Sequence, residues 1–248
     1  MPTPTVLLLL GLLIGSVLGL LGGGGGVLGV PLLVAAGLGL AQAQSSALLV
    51  ILIGSLTALI LQHQAGLVDW QLGLTFGSLG VLGSLAGSRL SLGLPERAQL
   101  GAFALLLLVA GAVMWRGPVL PNDAKTTPRP WPAVVLLATG VGLTTGFFGV
   151  GGGFVAVPAL VMALGVPVRR ASATALVVIA VNTAVAMFGR FDHLAPVRTL
   201  GYLGLAAALG SVVGALAARR ASSQTLKRGF ALLCLAAAVY SAGRAIAG

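Results

Sequence analysis

The sequence predicts an all-α polytopic membrane protein with two inverted repeats, each a glycine-broken helical hairpin followed by three transmembrane helices. Of the 248 residues, 58% are hydrophobic and only 7% are charged, whereas a soluble domain carries about 25% charged residues. The same pattern of glycine, proline and phenylalanine recurs about 127 residues further along the chain. Together these observations exclude a soluble enzyme, a disordered protein and a disulfide scaffold.

The charge is strongly basic, with 14 Lys and Arg against four acids and a net charge of +10. The basic residues fall in short runs between apolar stretches, as in loops that orient a membrane protein. The sequence has no basic helix and no aromatic platform for stacking bases, so a nucleic-acid partner is excluded. The lone Cys234 cannot form an internal disulfide.

The internal repeat divides the chain into a first transmembrane repeat at 1–116, a polar linker at 117–132 and a second transmembrane repeat at 133–248. The apolar stretch at 5–21 recurs inside the chain, where no signal peptide acts, so we assign it to the mature protein. The aligned pairs include Gly22 with Gly149, Gly24–Gly26 with Gly151–Gly153, Pro31 with Pro158, and Phe103 with Phe230.

Each half begins with two short apolar segments separated by a glycine run. They are 5–21 and 27–41 in the first half, and 133–149 and 154–167 in the second. A full crossing needs about 20 residues, and a continuous helix is weak across several glycines. We therefore expect each pair to be a hairpin of two half-helices that enters and leaves on one side.

Three longer segments follow in each half, at 43–61, 71–92 and 98–116, and at 171–189, 198–218 and 227–246. Since the hairpin returns to its starting side, three crossings place the second half upside down relative to the first. The larger group of cations then lies on one face, which we expect to be cytoplasmic, with both termini outside. That group is Arg116, Lys125, Arg129, Arg169, Arg170, Arg219, Arg220, Lys227 and Arg228.

The glycine runs are candidates for a substrate site. A helix that starts inside the membrane leaves backbone N–H groups without partners and presents its positive dipole end, which favours an anion. Close packing of helices through small residues is the alternative interpretation. The candidate residues are Gly22, Gly24, Gly25, Gly26, Gly149, Gly151, Gly152 and Gly153.

Three further polar residues lie inside the apolar segments and are candidates to line the path. Ser45 and Ser172 occupy matching positions in the two halves, and Asn182 lies deeper in its segment. Such groups either bond neighbouring helices or line a path. All four acids fall at loops or segment ends, which argues against cation coupling through a buried carboxylate.

No catalytic constellation is present in the sequence. It contains no nucleophile–base pair, no metal-ligand cluster and no phosphate-loop lysine. We therefore expect a protein that is not an enzyme, with no catalytic residues, no metal site and no cofactor.

Two glycine-rich hairpins that end in proline, from Gly19 to Pro31 and from Gly146 to Pro158, resemble those of the sulfite exporter TauE/SafE family. The resemblance covers nearly the whole chain, although leucines stand in the first copy where Phe147 and Phe148 stand in the second. It implies a multi-pass transporter of the bacterial or archaeal inner membrane that exports small sulfur-containing anions, such as sulfite or sulfoacetate.

A secondary transporter that works by alternating access is the leading hypothesis. A passive anion channel and a membrane anchor subunit are the alternatives. The expected partners are the lipid bilayer and a small anionic substrate, and a homo-oligomer is left open.

Overall fold

The computed structural model describes residues 3–91, 93–117, 131–150, 153–188, 192 and 194–247. Within these residues the chain is helical and contains no strand. A π-helical segment, Ala159–Ala163, continues directly from α7. The helices are α1 (Pro4–Leu21), α2 (Gly24–Ala35), α3 (Leu40–Gln64), α4 (Trp70–Ser91), α5 (Glu96–Arg116), α6 (Trp131–Phe148), α7 (Gly153–Pro158), α8 (Val168–Phe188), α9 (Val197–Arg220) and α10 (Ser223–Ala247).

Seven of the described helices are long and apolar enough to cross a membrane, namely α1, α3, α5, α6, α8, α9 and α10. The 22-residue α4 is long enough as well, but its glycines and serines make it less apolar. Large apolar side chains such as Leu136, Val197 and Ile246 are exposed on the outside of the protein. Such a surface is stable only in lipid, which confirms the multi-pass membrane architecture.

The glycine-broken hairpins differ from the prediction in two respects. First, the two members of the first pair differ in length: α1, like its counterpart α6, has 18 residues and is long enough to span by length and composition, whereas α2 has 12 residues. Second, α2 begins at Gly24, three residues earlier than the predicted start at Val27. The break itself is Gly22 and Gly23, where Gly22 has a φ of 67° that only glycine adopts without cost.

The two halves have the same order of elements, and every described helix of the first half has a counterpart about 127 residues later. Equivalent helices of the two halves also pack against equivalent partners. The most extensive contacts join α1 to α9 and, correspondingly, α4 to α6. The α3 helix packs against both α8 and α9, as α8 packs against both α3 and α4. The polar linker at 117–132 lies almost entirely outside the described residues.

Hydrogen bonds at the ends of α3 and α8 give the relative direction of these two central helices. The N–H of Asp69, just after α3, donates to Oγ1 of Thr174 near the start of α8, at 3.1 Å. The N–H of Ala195, after α8, donates to Oγ of Ser46 near the start of α3, at 3.2 Å. The equivalent helices α3 and α8 therefore run antiparallel. We refer to the two ends of the bundle as the α3–α4 end and the α4–α5 end.

Small residues form two seams that join the halves. Gly11, Gly15 and Gly19 are spaced four residues apart on α1, and all three face α9. A Cβ on Gly15 would lie 2.8 Å from Cα of Ala207. On the α4–α6 seam, a Cβ on Gly142 would lie 2.8 Å from Cα of Gly80. Such distances leave no room for a side chain, so these glycines allow the helix backbones to touch. Gly15 and Gly19 therefore serve the close packing of α1 against α9.

Candidate functional site

The two glycine breaks meet in the interior of the bundle. A Cβ on Gly23 would lie 2.7 Å from Cα of Gly153, and one on Gly26 would lie within 3.0 Å of the carbonyl oxygen of Val150. The two contacts are equivalent under the internal repeat, because Val150 is the counterpart of Gly23 and Gly153 is the counterpart of Gly26. The two hairpins therefore contact each other directly through their glycine breaks.

Each break also touches the first turns of a central helix of the other half. Gly22 packs on Ser172 of α8, with a Cβ on Gly22 falling 2.9 Å from Cα of Ser172. Gly149 packs on Gln44 of α3, where an added Cβ would lie 2.7 Å from Cβ of the glutamine. Gly149 has a φ of 65°, matching Gly22. Since α3 and α8 begin at opposite ends of the bundle, the breaks form a continuous cluster that reaches from one side towards the other.

The remaining candidate glycines have different surroundings. Gly24 faces only side chains, the nearest being Leu21 and Leu233, whereas Gly25 packs against the backbone of Leu18 in its own hairpin. Gly151 and Gly152 lie outside the described residues. Close packing is thus sufficient to require glycine at several of the candidate positions, and contact with substrate remains a prediction for all of them.

The polar candidates do not all belong to this cluster. Ser45 is fully buried, and its hydroxyl donates to the carbonyl of Ala41 one turn earlier, at 3.0 Å. Asn182 is also fully buried, but it lies against Gly80 of α4. Neither amide atom of Asn182 has a hydrogen-bond partner among the residues that the structure describes. Such a group costs about 1–3 kcal/mol when it remains unsatisfied, so Asn182 stays a candidate for contact with water or substrate.

The second break carries an aromatic cluster that the first break lacks. The ring of Phe103 lies 5.1 Å from that of Phe148 and 5.5 Å from that of Phe154, the latter in an edge-to-face arrangement. At the first break the residues equivalent to Phe148 and Phe154 are Leu21 and Val27. Aromatic pairs are worth about 0.5–1.5 kcal/mol beyond their buried area. The second hairpin therefore makes aromatic contacts with α5 in addition to its buried area.

The described acids lie outside the interior of the bundle. Asp69, Glu96 and Asp192 are exposed at helix ends, and Asp123 lies outside the described residues. Asp69 accepts a hydrogen bond from the N–H of Leu72 at 2.9 Å, which caps the start of α4. These carboxylates serve helix ends, and none of them faces the glycine breaks.

Arginine side chains at the α3–α4 end bind backbone carbonyls at helix ends. The guanidinium of Arg169 donates to the carbonyls of Ala218, Arg219 and Ala221 at 3.3, 2.6 and 2.9 Å. Arg219 in turn donates to the carbonyl of Leu61 at 2.6 Å. These carbonyls form the negative ends of helix dipoles, so both arginines stabilise the bundle at this end.

Sequence reasoning missed a pair of glutamines at the α4–α5 end. Nε2 of Gln44 donates to Oε1 of Gln99 at 2.9 Å, which joins α3 to α5. The two residues, with Ser91 and Glu96, line a cavity of about 200 Å³ that we call the glutamine cavity. The available signal was a glutamine inside each of two apolar segments, a polar group that must find a partner in the membrane.

The described residues contain no group of three or more His, Cys, Asp or Glu side chains placed to hold a metal ion. The chemistry available at the glycine breaks is that of backbone N–H groups and hydroxyls. These groups bind anions and carbonyls by hydrogen bonds.

Comparison with known proteins agrees with this architecture. The profile of the sulfite exporter TauE/SafE family matches residues 7–241. A probable membrane transporter protein of Xylella fastidiosa strain Temecula1 is 32% identical over 243 residues, which covers 92% of this chain and 90% of the relative. A protein with the same description from strain 9a5c is 30% identical over 238 residues, with the same coverage. No solved structure shows a significant match.

The match spans both glycine breaks and the helices that hold them. The chain belongs to the sulfite exporter TauE/SafE family and is a membrane transporter of that type.

Proposed function

We propose that this transporter is a secondary carrier that exports small sulfur-containing anions, such as sulfite, sulfoacetate or related organic anions, by alternating access. The observation that carries the proposal is the direct contact between the two glycine breaks. The family description supports the substrate class. We propose no covalent chemistry and no cofactor.

The two halves act as inverted repeats in this proposal. The opposite directions of α3 and α8, together with the exchange of packing partners between the halves, support this relation. In carriers built from inverted repeats, substrate binds near the midplane where broken helices meet, and the two halves exchange conformations to open either side. In the present conformation, backbone atoms of Gly23 and Gly153 pack against each other where the two breaks meet. Substrate would enter when the hairpins separate.

The affinity for an anion comes from the backbone. The first N–H groups of a helix lack intrahelical acceptors, and Gly23, which precedes α2, supplies no side-chain cap. Separation of the hairpins would expose these donors beside Ser172 and Gly153. An anion would gain the positive end of the α2 dipole there, and no described carboxylate lies close enough to repel it.

We propose that the α3–α4 end faces the cytoplasm of a bacterial or archaeal cell and that both termini lie outside, in the inner membrane. The larger group of described cations lies at that end, which is the usual cytoplasmic signature. The cations are Arg116, Arg169, Arg170, Arg219, Arg220, Lys227 and Arg228. Lys227 itself donates to the carbonyl of Gly117, so the ends of α5 and α9 and the start of α10 meet at this face.

Flux of radiolabelled sulfite in proteoliposomes tests the proposal. We expect saturable uptake that sulfoacetate or another sulfur anion inhibits, and counterflow when unlabelled sulfite is trapped inside the vesicles. Linear flux without counterflow would favour the passive channel instead. Absence of flux of any sulfur anion, from protein shown to be folded, would refute the proposed substrate class. Gly151→Leu and Gly152→Leu are expected to abolish flux while membrane insertion is retained.

A further inference from the structure

Two helices from different halves meet at the α3–α4 end, where α5 ends and α10 begins. Lys227 of α10 is only 8% exposed, and its ammonium group donates to the carbonyl of Gly117 at the end of α5. The chain neighbours of these two residues, Arg116 and Arg228, are exposed. The contact therefore brings two guanidinium groups, one from each half, to the same part of the outer surface. We call this place the α5–α10 junction.

Each of the two arginines lies at the end of an apolar stripe on its own helix. Leu232 follows Arg228 by one helical turn and is 56% exposed. Val113 and Val109 precede Arg116 by one and two turns and are also exposed. Residues at these spacings share one face of a helix. A phospholipid has the same arrangement, with a charged headgroup above apolar chains.

The outer surface between α5 and α10 is suited to lipid below the junction. A Cβ on Gly111 of α5 would lie 3.2 Å from Cγ of Leu235 in α10, so the two helices pack closely there. Trp115 lies one turn nearer the end of α5 and is 52% exposed. Tryptophan rings concentrate at the level of the lipid headgroups, which places the α5–α10 junction at that level.

The charges around the α5–α10 junction are predominantly positive. Apart from Glu96 at its first residue, α5 contains no acid, and α10 contains none. The α9 helix ends at the same end of the bundle with Arg219 and Arg220, and the described acid there, Asp69, caps α4. The linker that follows α5, at 118–130, has one acid and two basic residues in its sequence. An anionic headgroup is therefore attracted to this surface.

The equivalent junction at the other end of the bundle has a different charge. There α5 begins and α10 ends, and Glu96 lines one cavity with Arg97 and Arg244. The carboxylate offsets part of the positive charge and repels an anionic headgroup. The positions equivalent to the two exposed arginines hold Gly243 and Gly101, so the packing of α5 on α10 does not itself require arginine.

We propose that the α5–α10 junction binds an anionic phospholipid such as phosphatidylglycerol, with Arg116 and Arg228 holding its headgroup phosphate and its acyl chains lying along both helices. The guanidinium fork matches the oxygens of a phosphate group and forms two parallel hydrogen bonds with it. The bound lipid connects the first half of the protein to the second at this end. The inference is independent of the transported substrate and of the direction of transport.

Thermal unfolding in detergent tests the site, with unfolding followed by the reaction of the buried Cys234 with a fluorogenic dye. Phosphatidylglycerol at about ten times its Kd should raise Tm by roughly 3–6 °C, and phosphatidylcholine with the same chains should not. Arg116→Gln/Arg228→Gln should abolish this difference between the two lipids. Arg89→Gln/Arg198→Gln, which removes two exposed arginines at the other end, should retain it.

Three outcomes of this experiment would overturn the proposal. One is an equal effect of the two lipids on the wild-type protein, and another is a difference that persists in Arg116→Gln/Arg228→Gln. The third concerns glycerol phosphate, which carries the headgroup phosphate without acyl chains. An equal rise in Tm with glycerol phosphate would assign the site to a soluble phosphate instead of a lipid.

Quenching of Trp115 fluorescence localises the lipid without altering the arginines. Trp70→Phe/Trp131→Phe leaves Trp115 as the single tryptophan of the three, and the protein is reconstituted in phosphatidylcholine vesicles with a minor fraction of lipid that has brominated chains. We expect brominated phosphatidylglycerol to quench Trp115 more than brominated phosphatidylcholine does at the same fraction. The matched variant Trp70→Phe/Trp115→Phe retains Trp131, which is also exposed but begins α6, and should show no such preference. Equal quenching of Trp115 by the two lipids, or an equal preference at Trp131, would overturn the proposal even if the arginine variants fail to fold.

Discussion

The substitution Gly23→Ala tests the contact between the two glycine breaks most directly. The added Cβ would lie 2.7 Å from Cα of Gly153, and closer still to its carbonyl oxygen, whereas ordinary contact begins at 3.4 Å. The shortfall at Cα alone is ~0.7 Å and that at the carbonyl oxygen is larger, so the hairpins would have to separate by more than this at a point where both partners are backbone. Overpacking of this kind costs about 1–3 kcal/mol, occasionally more.

Cys234 provides the assay. It is the only cysteine in the sequence and is fully buried, so a thiol-reactive fluorogenic dye reports its exposure as detergent-solubilised protein is heated. At about 2–4 °C per kcal/mol for a chain of this size, we expect Gly23→Ala to lower Tm by roughly 2–12 °C.

Two control substitutions calibrate this measurement. At Gly140, in the exposed part of α6, an added Cβ meets nothing within 4 Å. Gly140→Ala should leave Tm unchanged or raise it slightly, since alanine favours a helix by about 0.5–1 kcal/mol over glycine. Gly24→Ala faces only side chains and should give an intermediate loss. If Gly23→Ala and Gly140→Ala melt at the same temperature, the close approach of the breaks is refuted.

Three further predictions use the same thermal assay. Gly66 has a φ of 68° with open space around it. Gly66→Ala should therefore lower the free energy of unfolding by about 1–2 kcal/mol, and Gly66→Asn by clearly less. Equal decreases in Tm for the two variants would argue against the left-handed turn. Arg169→Gln should lower Tm because it removes the charged donor from three carbonyls at the end of α9. Arg170→Gln, on the exposed face of α8, should leave Tm unchanged. Equal Tm values for the two variants would refute the capping role of Arg169. Ser84→Ala loses a 3.2 Å hydrogen bond to a carbonyl of α6 and should cost about 0.5–1.5 kcal/mol. Ser211→Ala removes a buried hydroxyl that has no partner within the described part of the chain, so it should be neutral or stabilising. A larger loss of stability for Ser211→Ala than for Ser84→Ala would contradict this assignment.

The positions of most helices could be predicted from the sequence because lipid leaves the chain few choices. Every backbone group in the membrane needs a partner within the segment, so apolar length and glycine breaks suffice to locate helices. The described α6 begins at Trp131, where the segment was predicted from 133, and the counterpart α1 begins at Pro4 instead of 5. Because the chain is duplicated, each helix predicted in one half could be compared with its counterpart in the other half.

The start of α2 could not be predicted in this way. Helix propensity disfavours Gly24 to Gly26 in a helix, yet all three are helical and buried. Tertiary packing outweighs propensity there because Gly26 must fit against the backbone of the opposite hairpin. The sequence shows where glycines are concentrated, but it does not show which of them face a backbone in the other half.

The glutamine pair could not be predicted for a related reason. Gln44 and Gln99 are 55 residues apart, and only the packing of α3 beside α5 brings them together. Asn182 could be identified in the sequence as a polar residue inside an apolar segment. The structure places it beside Gly80 of α4, away from the glycine breaks with which it was predicted to line a path.

The seams between α1 and α9 and between α4 and α6 constrain how the protein is made. Each seam joins a helix of one half to a helix of the other, so neither half holds a complete set of partners. When residues 1–116 leave the ribosome, the glycine face of α1 has no matching surface until α9 has been synthesised. The first half therefore remains in the bilayer with the glycine faces of α1 and α4 unpaired, and the final packing of the helices follows insertion of the second half. Two halves produced as separate chains should form a stable protein only when both are synthesised in the same membrane.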